Sequence, residues 1–449
     1  MTEASTSSAT VSERLDRLPF GRGHVRVLAG SGIGWALDAM DVGLISFVLA
    51  VLAQQWALQP GETAWIASAG FAGMAVGASL GGLLADRFGR RQVFALTLLV
   101  YGVATGASAL AGGLAVLIVL RFLVGLGLGA ELPVASTYVS EFAPARIRGR
   151  LIVILEAFWA IGWTAAALIG YFVVPASADG WRWAFALGAV PAVYALVVRW
   201  GLPESPRWLA RRGRHAEAER IVAEFEGTAA APAARDAQPL DVAPAAARGT
   251  GERLRALWSP EFRVRTLSLW TVWFCVNFSY YGAFIWIPTI LVAAGYDLVR
   301  SFGFTLIITL AQLPGYAVSA WLIEVWGRRI TLATFLAGSA VAAILFGTAT
   351  SEAMVIATGM ALSFFNLGAW GALYAVSPET YPTSLRATGS GWAAAVGRIA
   401  SIIAPLAVPP LLAAGGAPLL FVVFAAFFAV AVLATWGLAD RRGRALDDR

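Results

Sequence analysis

The stretch Gly82-Leu83-Leu84-Ala85-Asp86-Arg87-Phe88-Gly89-Arg90-Arg91 joins one apolar run to the next. Its charged core returns 238 residues later as Glu324-Val325-Trp326-Gly327-Arg328-Arg329. A second block keeps the same offset: Glu141, Pro144 and Arg148 recur as Glu379, Pro382 and Arg386. Two blocks at one spacing divide the chain into repeated halves. Repeated apolar halves packed face to face form a transport architecture, with the binding site between them near the midplane.

The rest of the sequence is too apolar for a soluble surface. Of 449 residues, 59% are hydrophobic and 13% are charged, against about 25% charged in soluble proteins. Mean hydropathy is +0.71. Membrane-spanning helices, which satisfy their own backbone groups in lipid, remain as the fold class. The single cysteine, Cys275, excludes a disulfide framework and a cysteine zinc site. His24 and His215 lie outside apolar stretches, so no metal or organic cofactor is expected. All 33 basic residues are arginine, which reflects codon bias rather than chemistry. The net charge of +6 is dispersed over short loops, so no nucleic-acid partner is expected.

Apolar runs fall at roughly 27–53, 63–85, 92–111, 114–139, 150–174, 183–202, 266–293, 301–323, 330–349, 352–376, 385–413 and 417–438. Loops on one side hold 29 of the 33 arginines, and the other side holds only Arg182 and Arg300. The positive-inside rule therefore places both termini in the cytoplasm. The reading is an all-α membrane protein of twelve transmembrane helices in two six-helix repeats. Its parts are a tail (1–23), a bundle (24–202), a cytoplasmic linker (203–262), a second bundle (263–439) and a second tail (440–449).

Residues 1–20 are expected to be disordered, and they lack the apolar core of a signal peptide. The segment 207–225 reads as one amphipathic helix on the membrane surface, with Trp208, Leu209, Ile221 and Phe225 on one side. The Ala/Pro-rich stretch 228–250 reads as a flexible linker.

Charged side chains inside spans are costly and mark function. Asp38 and Asp41 share a face of span 1. Two close carboxylates in a low dielectric do not readily both ionise, the property that a proton-coupling site needs. Arg121 in span 4 is their natural partner, and the glycines at 125, 127 and 129 allow close helix approach there. Arg121 is alternatively a direct grip for a substrate carboxylate, and Arg398 in span 11 is a second candidate anion anchor. Glu131, beside a kink expected at Pro133, and Glu156 are each either cavity-facing or satisfied between helices.

Several spans carry an aromatic and amide set, read either as ligand contacts or as packing: Trp159 and Trp163 in span 5, Asn277, Tyr280, Tyr281 and Trp286 in span 7, and Gln312 and Tyr316 in span 8. Asn366, Trp370 and Tyr374 in span 10 recur every four residues on one face. Such groups suit a flat aromatic ligand, rings stacking while amides fix its polar edge.

The segment from Gly82 to Arg91 resembles the loop 2–3 signature of the major facilitator superfamily. Glu141 to Arg148, Glu379 to Arg386 and Pro203-Glu204-Ser205-Pro206-Arg207 resemble motifs of its sugar-porter branch. The resemblance implies a conformational latch of Asp86, Arg90, Glu141 and Arg148, repeated as Glu324, Arg328, Glu379 and Arg386. Carboxylates at helix ends would pair with arginines of neighbouring spans, and the second latch, with Glu324 for Asp86, is expected to be the weaker. Asp41, followed by Val42-Gly43-Leu44-Ile45-Ser46, resembles the span 1 aspartate that proton-coupled sugar porters set against the span 4 arginine.

Asp38-Ala39-Met40-Asp41 also resembles the Asp-x-x-Asp motif of aromatic acid/proton symporters, with Ala39 at a usual glycine. The mixture is similar to bacterial niacin transporters. It implies a monomeric, proton-coupled importer of nicotinate or nicotinamide in the bacterial cytoplasmic membrane, with the proton as coupling ion. The other aromatic acids, such as benzoate, remain the close alternative. A sugar symporter, an organic-cation exporter and a non-transporting nutrient sensor are further ones. A phosphate-cradling loop and a nucleophile elbow are absent from the sequence, so no enzyme is expected.

Overall fold

The computed structural model describes residues 10–144, 146–227 and 250–438. Regular structure among them is helical throughout. The first half runs α1 Val11–Arg17, α2 Arg22–Gln55, α3 Pro60–Phe88, α4 Arg90–Ser108, α5 Leu114–Phe142, α6 Arg148–Phe172, α7 Gly180–Leu187 and α8 Val190–Gly201. The connector holds α9 Pro206–Arg211, α10 His215–Glu226 and α11 Thr250–Leu257. The second half runs α12 Arg263–Phe284, α13 Ile287–Ala293, α14 Leu298–Leu310, α15 Gln312–Val325, α16 Arg328–Gly347, α17 Glu352–Glu379 and α18 Thr383–Thr435.

Local chemistry sets these boundaries. Pro60 occupies the first turn of α3, where its missing N–H costs nothing. Ser351 caps α17 by accepting from the Met354 N–H at 3.3 Å, and Asp297 caps α14 by accepting from Arg300 N–H at 3.0 Å. Gly89 and Gly327, 238 residues apart, take φ of +105° and +90° between α3 and α4 and between α15 and α16. The sequence repeat is therefore also a backbone repeat, built on a conformation that other residues rarely adopt.

Among the described residues nine helices, counting closely joined segments together, are long and apolar enough to cross a membrane, and ten when the α12–α13 pair, bent by 46°, is one span. The chain is a multi-pass integral membrane protein. Two features separate ten from the expected twelve. The third expected span, α4, opens on Arg90 and Arg91 and has only 19 residues. The last two expected spans run on as α18, broken at Gly415 and Gly416.

Two other expectations are corrected. Residues 11–17, expected to be disordered, form α1. Its Arg14 pairs with Glu226 at 2.6 Å and with Glu219, and its Asp16 pairs with Arg148 and Arg207, each at 2.8 Å. The single amphipathic helix over 207–225 is two helices, because Gly213 turns the chain with φ +75°. Its apolar side packs on protein: Trp208, Leu209 and Ile221 are buried, and Phe225 stacks on Phe142. The expected linker falls almost wholly outside the described residues, as do residues 1–9 and 439–449.

Within the first half, α5 lies backbone to backbone on α3. A Cβ at Gly125 or Gly129 would strike the carbonyl of Gly70 or Met74. The two halves meet through α2 with α13 and α14, α3 with α18, and α6 with α14, α15 and α17. Phe47 against Phe302 (5.1 Å between centroids) and Phe71 against Tyr281 (4.6 Å) lie in this seam. Ser68 adds a hydrogen bond to the Ile402 carbonyl at 2.9 Å. Phe47, Phe302 and Ser68 lie in the helix halves remote from the arginine-rich loops.

Candidate functional site

Two groups of buried charges lie between α2 and α5 in the first half. Asp41 on α2 lies 3.4 Å from Arg121 on α5, with 2% and 4% of their side chains exposed. Thr105 on α4 donates to Asp41 at 2.6 Å, and Arg121 donates to Ser108 at 2.9 Å. The guanidinium sits 4.7 Å from the centroid of the Phe185 ring on α7, a cation–π contact. Four helices thus hold one ion pair, which borders a small cavity walled mainly by apolar residues of α2, α3 and α5.

Asp38, one turn earlier on α2, belongs to a different group. It is fully buried and faces Glu131 of α5, itself fully buried beside the Tyr101 hydroxyl of α4. Gly34 leaves room for this carboxyl, since a Cβ there would come within 2.9 Å of Glu131 Oε1. Pro133 sits inside α5, which continues through to Phe142.

Between the halves lies a narrow chamber. Trp35 (α2) and Trp159 (α6) wall it from one half, and Tyr280, Tyr281, Tyr316, Trp370 and Tyr374 from the other. Its two charged side chains are Glu156 on α6 and Arg398 on α18. Trp159 Nε1 donates across the interface to the Tyr280 hydroxyl at 3.2 Å. Arg398 Nη1 comes to 3.8 Å from Met74 Sδ of the other half, with the Tyr281 hydroxyl alongside. Rings on several sides, one cation and one carboxyl suit a small flat ligand with an anionic edge.

Of the residues singled out for substrate, Trp159, Tyr280, Tyr281, Tyr316, Trp370, Tyr374 and Arg398 line this chamber. The others sit behind or beyond it. Arg121 faces Asp41 and the apolar cavity. Asn277 donates to its own helix at Trp273 O (2.7 Å) and accepts from Ser401 (3.1 Å), fastening α12 to α18. Trp163 packs edge-on against Tyr280 with centroids 5.8 Å apart. Trp286, Gln312 and Asn366 are buried outside the lining. Trp35 was not singled out and Glu156 was left undecided. The signal lay in helical spacing, since Glu156, Trp159 and Trp163 share one face.

At the arginine-rich end, Arg90 is almost fully buried and pairs with Asp86 at 2.7 Å and Glu141 at 3.2 Å. The Pro203–Arg207 segment braces this loop: Glu204 Oε1 accepts from the backbone N–H groups of Arg90, Arg91 and Ser205 at 3.0, 3.1 and 2.9 Å. A carboxylate there meets the positive end of the α4 dipole. In the second half Arg328 meets Glu379 at 3.2 Å and Glu324 at 3.9 Å, on more exposed side chains. Arg148 pairs with Asp16 of α1 and donates to the Ala143 carbonyl at the end of α5 at 3.3 Å. Arg386 is half-buried, its Nε and Nη2 without a hydrogen-bond partner among the described residues.

Comparison with known proteins agrees with this architecture. The niacin transporter NiaP of Acinetobacter baylyi is 49% identical over 401 residues, covering 89% of this chain and 90% of that one. A Bacillus subtilis relative, provisionally named a niacin/nicotinamide transporter, NiaP, is 45% identical over 408 residues, covering 91% and 93%. The partially occluded inward-open xylose transporter XylE from E. coli shares the fold, with a TM-score of 0.76 over 95% of this chain and 100% of that one at 19% identity. The fold is thus that of the major facilitator superfamily, and the chain is a transporter rather than an enzyme. Residues 33–439 match the family described as sugar (and other) transporter, and the chain belongs to that family.

Proposed function

We propose that this chain imports nicotinate, and nicotinamide less tightly, together with a proton across a bacterial cytoplasmic membrane. The observation that carries the substrate is Arg398, a cation set in an aromatic chamber between the halves. Nicotinate is a flat ring bearing one carboxylate. Arg398 pairs with that carboxylate through charge-assisted hydrogen bonds, while Trp35, Trp159 and Trp370 offer faces to the ring. The names of the two bacterial relatives support the same substrate class. A hexose fits less well, because each buried ring hydroxyl needs a partner and this wall is mostly aromatic.

The protein acts as a monomer with twelve crossings and both termini in the cytoplasm, as the arginine distribution favours. Asp41 is the proton site and Arg121 its charge partner. Protonating Asp41 frees Arg121 and alters the balance between open states, while the Asp86–Arg90–Glu141 and Arg328–Glu379 groups latch the cytoplasmic ends of each half. The test is uptake of labelled nicotinate into proteoliposomes under an inward proton gradient, challenged with nicotinamide, benzoate, glucose and a quaternary amine. Accumulation driven by the gradient and blocked by nicotinamide or nicotinate alone is expected. No nicotinate flux from verified proteoliposomes, or equal block by benzoate, would overturn the substrate.

A further inference from the structure

Glu156 is the charged chamber residue that the proposed import leaves without a task. It projects from α6 into the space that Arg398 enters from α18, and only 3% of it is exposed. Both border the chamber, and among the described residues the two form no ion pair. The groups that face Glu156 are the Trp35 indole of α2, Arg398 of α18, Tyr281 of α12, Tyr316 of α15 and Tyr374 of α17. Arg398 is the one cation among them, and it makes no ion pair with Glu156 among the described residues. A carboxyl in this position costs stability unless a ligand completes it.

We infer that Glu156 recognises the ring nitrogen of an azaaromatic carboxylate, sharing one proton with it, while Arg398 holds the carboxylate. This rests on the proposed nicotinate reading and specifies which atom separates nicotinate from benzoate. A pyridine nitrogen presents an in-plane lone pair, and a carboxyl group can meet it with a single proton between oxygen and nitrogen. The bond is the same pairing whether that proton resides on oxygen or on nitrogen. The proton comes from water on the open side and enters with the ligand. Benzoate has a C–H at the same place and leaves the carboxyl unpaired, which a buried site penalises. The aromatic lining offers faces for the ring to stack on.

The test compares binding of nicotinate and benzoate to the purified full chain in detergent, read by tryptophan fluorescence, because Trp35, Trp159 and Trp370 border the ligand. The wild type is expected to prefer nicotinate by about 5- to 150-fold, the range for leaving one buried polar group unpaired. In Glu156→Leu the preference should vanish through loss of nicotinate affinity, with benzoate binding kept. In Glu156→Gln, whose amide still donates to the ring nitrogen, most of the preference should stay, while proton uptake on nicotinate binding, followed with a pH indicator, should fall. A wild-type preference retained in Glu156→Leu would overturn the inference, as would undiminished proton uptake in Glu156→Gln. Should Glu156→Leu not fold, the Gln variant decides alone. A wild type that binds neither nicotinate nor nicotinamide would instead sink the substrate reading itself.

Discussion

Removing the countercharge of Arg121 is the most demanding test of the buried ion pair. Asp41 and Arg121 are 3.4 Å apart and almost fully buried. Coulomb's law at an effective dielectric of about 20 gives roughly 5 kcal/mol for such a pair. Breaking a buried pair typically costs about 3–5 kcal/mol, because one charge is left uncompensated. The two partners differ in how they bear that loss. Arginine does not give up its proton in a protein, so Asp41→Asn strands a full charge between Ser108 and Phe185. Arg121→Met strands only a carboxylate, which can take a proton and which Thr105 already serves at 2.6 Å.

Asp41→Asn is therefore expected to lose about 3–5 kcal/mol, and Arg121→Met about 1–3 kcal/mol. The double variant should recover most of the loss, since neutral groups of similar size often replace a buried pair without penalty. The assay is denaturant unfolding in mixed micelles, with proton-driven uptake measured in parallel. The double variant should regain stability but not gradient-driven accumulation. Equal losses from the two single variants, or a double variant as unstable as their sum, would refute the reasoning.

Three further outcomes follow from the geometry. Arg398→Met should weaken nicotinate binding by about 1.5–3 kcal/mol, or 10- to 150-fold, and nicotinamide far less; equal loss of acid and amide in a fluorescence titration would remove Arg398 from the carboxylate. Glu204→Gln should lower stability by about 0.5–2 kcal/mol through a weaker cap on α4, seen in the unfolding midpoint, with ligand affinity unchanged. Arg14→Gln combined with Asp16→Asn should free α1, whose partly exposed ion pairs are worth only about 0.2–1 kcal/mol each; chymotrypsin should then cut faster near Phe20 while nicotinate binding stays as it was.

The sequence made faces legible but not heights. The repeat at 238 placed the starts of α4 and α16, because a charged block between apolar runs has only the membrane boundary to occupy. Asp41 and Arg121 were legible as partners because each is a charge in an apolar run. Span 10 shows the limit. Asn366, Trp370 and Tyr374 share one face, yet only Trp370 and Tyr374 line the chamber. Helical periodicity gives the direction of a side chain, whereas depth depends on where the other half makes contact. The same gap left Arg121 and Arg398 both open as the cation beside the aromatics, where the structure sets Arg398 in the chamber and Arg121 against Asp41. Amphipathy likewise does not say what covers an apolar side: α10 reads as a lipid-facing helix, but α1, Gly23 of α2 and Phe142 cover it.

The helix α2 joins the two sites directly. Trp35 walls the chamber, Asp38 faces Glu131, and Asp41 holds Arg121, on successive positions at i, i+3 and i+6. Such positions wind around a helix by about 60° per step, so these three side chains face different neighbours within two turns. A ligand pressing on Trp35 and a proton arriving at Asp41 therefore act on the same rigid element. Coupling between them needs a small rotation or shift of α2 against α5 and α6, and no chain of intermediates. Gly32 and Gly34 mark where such a shift is most constrained, since even a methyl group there would run into the Phe158 and Phe94 rings. Gly34→Ala should accordingly impair proton-driven uptake without touching either the chamber lining or the ion pair. Normal accumulation by that variant would show that α2 is a passive wall and that the two sites communicate by another route.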